Sequence, residues 1–189
     1  MGPTTLLIGV LSASGAELCP TLRLQTRAAP APGFVCQEVS EGLALCAACG
    51  ERLLREAEIE WNNIEPETVF AELTARSAAT LSTERPARQA VVDMPDTAYW
   101  VSQVGDGFDA AGLLHPKHLS EVAGTTPVIG MPAVGTFLMW IPGDSETDTV
   151  MAVGFRRIFE EARHPVSDKV YRWHNGAWVV WGEVVESGG

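Results

Sequence analysis

KVYRWHNGAWVVWGE, residues 169–183, decides how this chain is read. Asn175 and Gly176 accept the positive φ angles of a two-residue type I′ turn, and apolar residues alternate on both sides of it. That turn sets Trp173 opposite Trp178 and Tyr171 opposite Val180, so these four share one face. The other face carries Val170, Val179 and Trp181, an apolar patch wherever nothing covers it. The chain therefore closes in an antiparallel hairpin.

Working back from the hairpin, the spacing predicts a helix over 147–163. Met151, Phe155, Ile158, Phe159 and Ala162 form its inward stripe, Ser145 or Thr147 caps its first amides, and Pro165 ends it. Its other face, Arg156, Arg157, Glu160 and Glu161, is solvated. Residues 128–131 and 136–141 are the most continuously apolar segments, and the short span 132–135 returns the chain antiparallel between them. They read as central strands.

Two further strands, 89–94 and 97–104, are interrupted by Pro95 and Asp96. The second has Tyr99 and Val101 on one side and Trp100 and Val104 on the other, which predicts cover on both faces. A Gly-Asp-Gly turn at 105–107 then leads into a short helix over 110–114, with Asp109 as its N-cap, and Pro116 opens another through Val122. Upstream, Pro66 starts a helix bearing Val69, Phe70 and Leu73, and residues 78–88 read as loop. Residues 34–39 and 43–47 form a hairpin, followed by a helix over 51–59 with Leu53, Leu54 and Ala57 inward. Strands at 4–10 and 18–24 precede the proline-bearing loop 28–32.

The expectation is a single globular domain over 1–189, with N-terminal strands and a proline-rich loop in 1–32 and the main body in 33–186. Its class is α+β: a mostly antiparallel sheet, three to four helices packed on it, and a C-terminal β-hairpin. With 24 acidic against 13 basic residues the net charge is −11, which repels phosphate backbones and anionic headgroups. Nucleic acid and membrane are excluded as partners. No Lys or Arg precedes Leu6, so the apolar start lacks the positive region of a secretory signal, and a cytoplasmic location is expected. The longest apolar region, 127–142, is broken by Gly130, Pro132 and Gly135 and is too short for a span.

Candidate chemistry is sparse. Cys46 and Cys49 form a C-x-x-C pair at a predicted strand end, where the following helix dipole would favour a thiolate for redox work, or zinc binding with Cys19 and Cys36. A chain of this size builds a core without staples, so reduced, buried thiols are the structural reading. His115 and His118 are three apart but flank Pro116, and they read as surface polar residues rather than metal ligands. Asp106 and Asp109 have the chemistry of an acid and base pair or of a cation site, although such a pattern is more often a tight turn and a helix cap. No nucleophile elbow, phosphate loop or calcium loop is present.

The order of motifs resembles the YtpQ-like bacterial family, a domain of unknown function. Cys19-Pro20-Thr21-Leu22-Arg23 resembles the family's Pro-x-x-Arg step, and Arg76-Ser77 its Arg-Ser pair after a helix. Asp106-Gly107-Phe108-Asp109-Ala110 is similar to its Asp-Gly-Tyr-Asp-Ala, Met131-Pro132 to its Val-Pro, and Pro165-Val166-Ser167 to the step before its last strands. The likeness spans residues 18–183, with Phe108 where Tyr is commoner and Cys19 in place of an aromatic. It implies a cytoplasmic bacterial protein of α+β type and supplies no activity. Cys46 and Cys49 are not part of the family pattern.

Two functional expectations follow. The first is a non-catalytic binding or accessory protein that recognises a protein partner through an exposed face bearing Val170, Val179 and Trp181. The second is a small enzyme with a polar site of Arg23, Arg76, Asp106 and Asp109, or with the Cys46 and Cys49 thiols. No cofactor and no metal is implied.

Overall fold

The computed structural model describes residues 22–61, 63–83, 87–91, 94–102, 108–143 and 145–182. Its strands divide into two antiparallel sheets, an α+β arrangement. The first sheet holds β1 (Leu22–Arg27), β2 (Cys36–Ser40), β3 (Leu43–Cys49) and the short β4 (Arg52–Leu53), with β3 central. The second holds β5 (Ala87–Val91), β6 (Met94–Ser102), β7 (Val128–Ala133), β8 (Thr136–Trp140), β9 (Val170–His174) and β10 (Ala177–Gly182). Its order is β10-β9-β7-β8-β6-β5. Five helices stand among the described residues: α1 (Glu56–Glu60), α2 (Pro66–Thr83), α3 (Phe108–Leu114), α4 (Pro116–Ala123) and α5 (Ser145–Glu161).

The C-terminal hairpin forms as its turn dictates. Asn175 and Gly176 take φ angles of 49° and 87°, and Trp173 pairs with Trp178 and Tyr171 with Val180. The two indoles meet edge to face with centroids 5.4 Å apart, a geometry that suits their ring quadrupoles. The Trp178 indole N–H donates to the Leu113 carbonyl at 2.8 Å, tying the hairpin to the end of α3.

Strand alternation sorts the six-stranded sheet into two cores. Trp100, Ile129, Met131, Phe137, Met139, Tyr171 and Trp178 face a cluster shared with Leu43, Leu45 and Ala47 of β3 and with residues of α2, α3 and α4. Val128, Leu138, Trp140 and Val170 face the other way, against Met151 and Phe155 of α5. β7 and β8 are central and covered on both faces, as their continuous apolar runs imply. Gly130 is what lets α5 settle: a Cβ there would stand 2.4 Å from the Phe155 ring.

Several boundaries differ from the expectations. β3 runs on through Ala48 and Cys49, because β1 and β4 both pair with it there. The helix expected over 51–59 is shorter, since Arg52 and Leu53 are held in that ladder and only Glu56–Glu60 is helical. α2 extends through the expected loop as far as Thr83. Ala78 and Ala79 are strong helix formers, and Leu81 lies at 4 % exposure in the main core. Pro95 and Asp96 lie inside β6 rather than between strands. The register jumps from Ala90↔Ala98 to Val91↔Met94, so the proline sits in a bulge where no ladder donor is required. α3 begins at Phe108, which places Asp109 in its first turn rather than at its N-cap. The strand expected at 4–10 lies outside the described residues.

Candidate functional site

The elements that carry the expected polar site do come together. α3 packs on α2 and on β1, so the segments bearing Arg23, Arg76 and Asp109 are in mutual contact. Arg23 lies on β1 opposite Ala48, and its Nε donates to the Gly50 carbonyl at 3.0 Å, closing the turn between β3 and β4. Gly50 has φ 62°, a conformation in which a bare backbone turns sharply. Arg76 lies in α2 and Asp109 in the first turn of α3. Asp106 lies outside the described residues.

At the same junction stands a contact the sequence did not single out. Ser77, the neighbour of Arg76, is buried at 8 % exposure. Its Oγ stands 2.9 Å from Nε2 of His115, the residue between α3 and α4. It also stands 2.7 Å from the Thr74 carbonyl, to which it donates. The hydroxyl proton is thereby engaged, and the imidazole Nε2–H completes a donor chain running His115 to Ser77 to Thr74. A serine nucleophile would need that proton handed to the ring instead. Among the described residues no carboxylate orients the His115 ring, so the geometry is that of a latch between helices. The signal lay in two separate sequence features, an Arg-Ser pair and a His-x-x-His spacing, that nothing in sequence connects. His118 turns toward Glu121, with Nδ1 to Oε2 at 4.0 Å. No group of potential metal ligands gathers among the described residues.

Cys46 and Cys49 do not form a pair with each other. On a strand, residues three apart point to opposite faces. Cys46 is bonded to Cys36, its register partner on β2, with Cα atoms 4.0 Å apart. Cys49 is disulfide-bonded as well, and no described cysteine is free. The expectation of reduced thiols is corrected accordingly: β2 and β3 bring Cys36 and Cys46 face to face. Cys19 lies outside the described residues.

The expected partner surface divides. Val170 is buried at 4 % exposure beneath α5 and belongs to the second core, so it leaves the patch. Val179 and Trp181 remain 39 % and 37 % exposed on β10, at the edge of the sheet and beyond the cover of α5. Arg172 is the cross-strand neighbour of Val179. The edge is partly guarded by β2, whose Ser40 hydroxyl donates to the Trp178 carbonyl at 2.9 Å. The apolar side chains themselves stay open.

No helix among the described residues is long and apolar enough to cross a membrane. No protein-family model, no curated protein and no solved structure matches the chain.

Proposed function

We propose that this is a non-catalytic binding or accessory protein that recognises a protein partner through the flank of the six-stranded sheet beside α5. The observation that carries the reading is the unequal cover of that sheet. Among the described residues one face is filled by helices and the second sheet, whereas α5 alone covers the other and leaves Val179 and Trp181 open on the edge strand. An aromatic anchor beside a β-branched residue, with Arg172 at the rim, has the composition of an interaction hot spot. The acidic balance of the chain favours a neutral or basic partner surface over a polyanion. The test is capture of a defined partner from cell extract by the wild-type chain and by Trp181→Ser. Loss of the captured protein at unchanged melting temperature supports the reading, and equal capture removes it.

A small enzyme is the second reading, favoured by the contact among β1, α2 and α3 that gathers the segments of Arg23, Arg76 and Asp109. Asp109→Ala and Arg76→Ala separate it from the first: on the binding reading neither alters partner capture. The YtpQ-like kinship belongs to the same proposal and rests on its ordered motifs. A cytoplasmic location belongs to this reading, whereas the bonded state of Cys36, Cys46 and Cys49 favours an oxidising space, where disulfides persist. Counting free thiols in protein trapped directly from cells decides between them.

A further inference from the structure

A cleft of about 390 Å³ lies between the end of β1, the β3–β4 turn and the start of α1, remote in sequence from the hairpin flank. Arg27, Arg52 and Arg55 line it together with Glu51, Glu58 and Phe34. In a chain with 13 basic residues and a net charge of −11, three arginines converging on one cleft is a local reversal of sign.

The three are not equivalent. Arg52 is spent: its Nη1 holds Glu58 Oε2 at 2.8 Å, and the same carboxylate oxygen accepts the Arg55 main-chain N–H at 2.8 Å. Arg27 gives Nη2 to Gln25 Oε1 at 2.9 Å, while its Nε is buried with no hydrogen-bond partner. The Arg55 guanidinium lies 5.9 Å from the centre of the Phe34 ring, and no side chain among the described residues accepts a hydrogen bond from it. The Arg27 Nε is itself closed to a ligand, so Arg27 meets the cleft through the end of its guanidinium, whose planar fork matches a carboxylate in two parallel bonds.

Charge decides which anion fits. With Arg52 and Glu58 neutralising each other, Arg27 and Arg55 are opposed by Glu51, which leaves one net positive charge. A monoanion is balanced by that; a polyphosphate would meet two carboxylates. The remaining wall is apolar, from Phe34 and Leu53, and the volume lies in the range of small-molecule pockets. We infer that this cleft binds a small monocarboxylate with a flat or apolar body, its carboxylate held by Arg27 and Arg55 and its body against Phe34.

The test is saturation-transfer NMR and titration calorimetry on the full chain with benzoate as the probe. Benzamide serves as its neutral match and inorganic phosphate as competitor. Saturable benzoate binding, at least about tenfold weaker in Arg55→Gln and in Arg27→Lys, and unchanged in Arg156→Gln on the outer face of α5, supports the site. Arg27→Lys keeps the charge and removes the planar fork, so it separates a fold defect from a lost contact. The inference is overturned if benzoate fails to saturate, if benzamide binds equally, if either cleft variant binds as wild type, or if phosphate displaces benzoate at lower concentration than benzoate itself requires.

Discussion

The hydroxyl of Tyr171 donates to the main-chain carbonyl of Glu41 at 3.0 Å, joining β9 of the six-stranded sheet to the β2–β3 turn of the other. The bond ends a chain of donors. The Lys169 amide gives to Ser167 Oγ at 3.1 Å, Ser167 gives to the Tyr171 oxygen at 2.6 Å, and Tyr171 gives to Glu41. Lys169 and Glu41 add an ion pair at the rim. Gly42 makes that turn at φ 73°, a conformation that residues with a Cβ rarely adopt. Every member of the chain is satisfied, which is the condition under which a buried polar network favours one arrangement of the core.

That network makes stability fall at high pH. Burial is the main cause that raises the Tyr171 phenol from 10.0 to about 12. A raised acid holds its proton more tightly in the folded state, so its contribution is complete below about pH 10 and is lost as pH approaches 12. The amount at stake is on the order of 2–3 kcal/mol for a rise from 10.0 to about 12. Urea melts from pH 8 upward should show this decline in the wild type. Tyr171→Phe should be weaker by about 1–3 kcal/mol at neutral pH, because the Glu41 carbonyl loses its donor, and should lack the alkaline decline.

Gly130→Ala should destabilise by about 1–3 kcal/mol, the cost of overpacking a filled core. The new Cβ would lie 2.4 Å from a Phe155 ring carbon, so α5 or the ring must move. Thermal melts check this. A shorter side chain at 155 should recover part of the loss, so Gly130→Ala with Phe155→Leu should cost less than the two single changes summed.

Loss of the Cys36–Cys46 bridge should weaken the fold. The Cys36–Cys46 bridge spans a sequence separation of 10, a closure that contributes roughly 2–3 kcal/mol through the unfolded chain. Urea midpoints of the wild type and of the Cys36→Ser, Cys46→Ser double variant, both in oxidant, measure it, since reductant also opens the disulfide of Cys49. Equal midpoints would remove the bridge from the stability of this protein.

What could be read beforehand followed from local rules. The type I′ turn, the pairing of Trp173 with Trp178, the antiparallel return between β7 and β8, and the stripe of α5 each depend on neighbouring residues and the periods 2 and 3.6. What could not be read was long-range. The strand through Cys49 exists because β1 and β4 flank it, and α2 continues to Thr83 because Leu81 finds the core. Local chemistry predicted a loop for residues 78–88 and reduced, buried thiols at Cys46 and Cys49; tertiary contact overrode both. The site divides the same way. Val179 and Trp181 were named from alternation alone, while the burial of Val170 required α5, and the Ser77 to His115 bond joins residues 38 apart that share no motif.

The central claim is that Val179 and Trp181 contact a protein partner. Placing a photo-crosslinking amino acid at position 181 in cells, with a second chain carrying it at the exposed Lys117 of α4 as control, tests that contact directly. The account predicts a discrete heavier adduct from position 181 alone, lost when Val179→Asp is added. No adduct from position 181, or the same adduct from position 117, would contradict it.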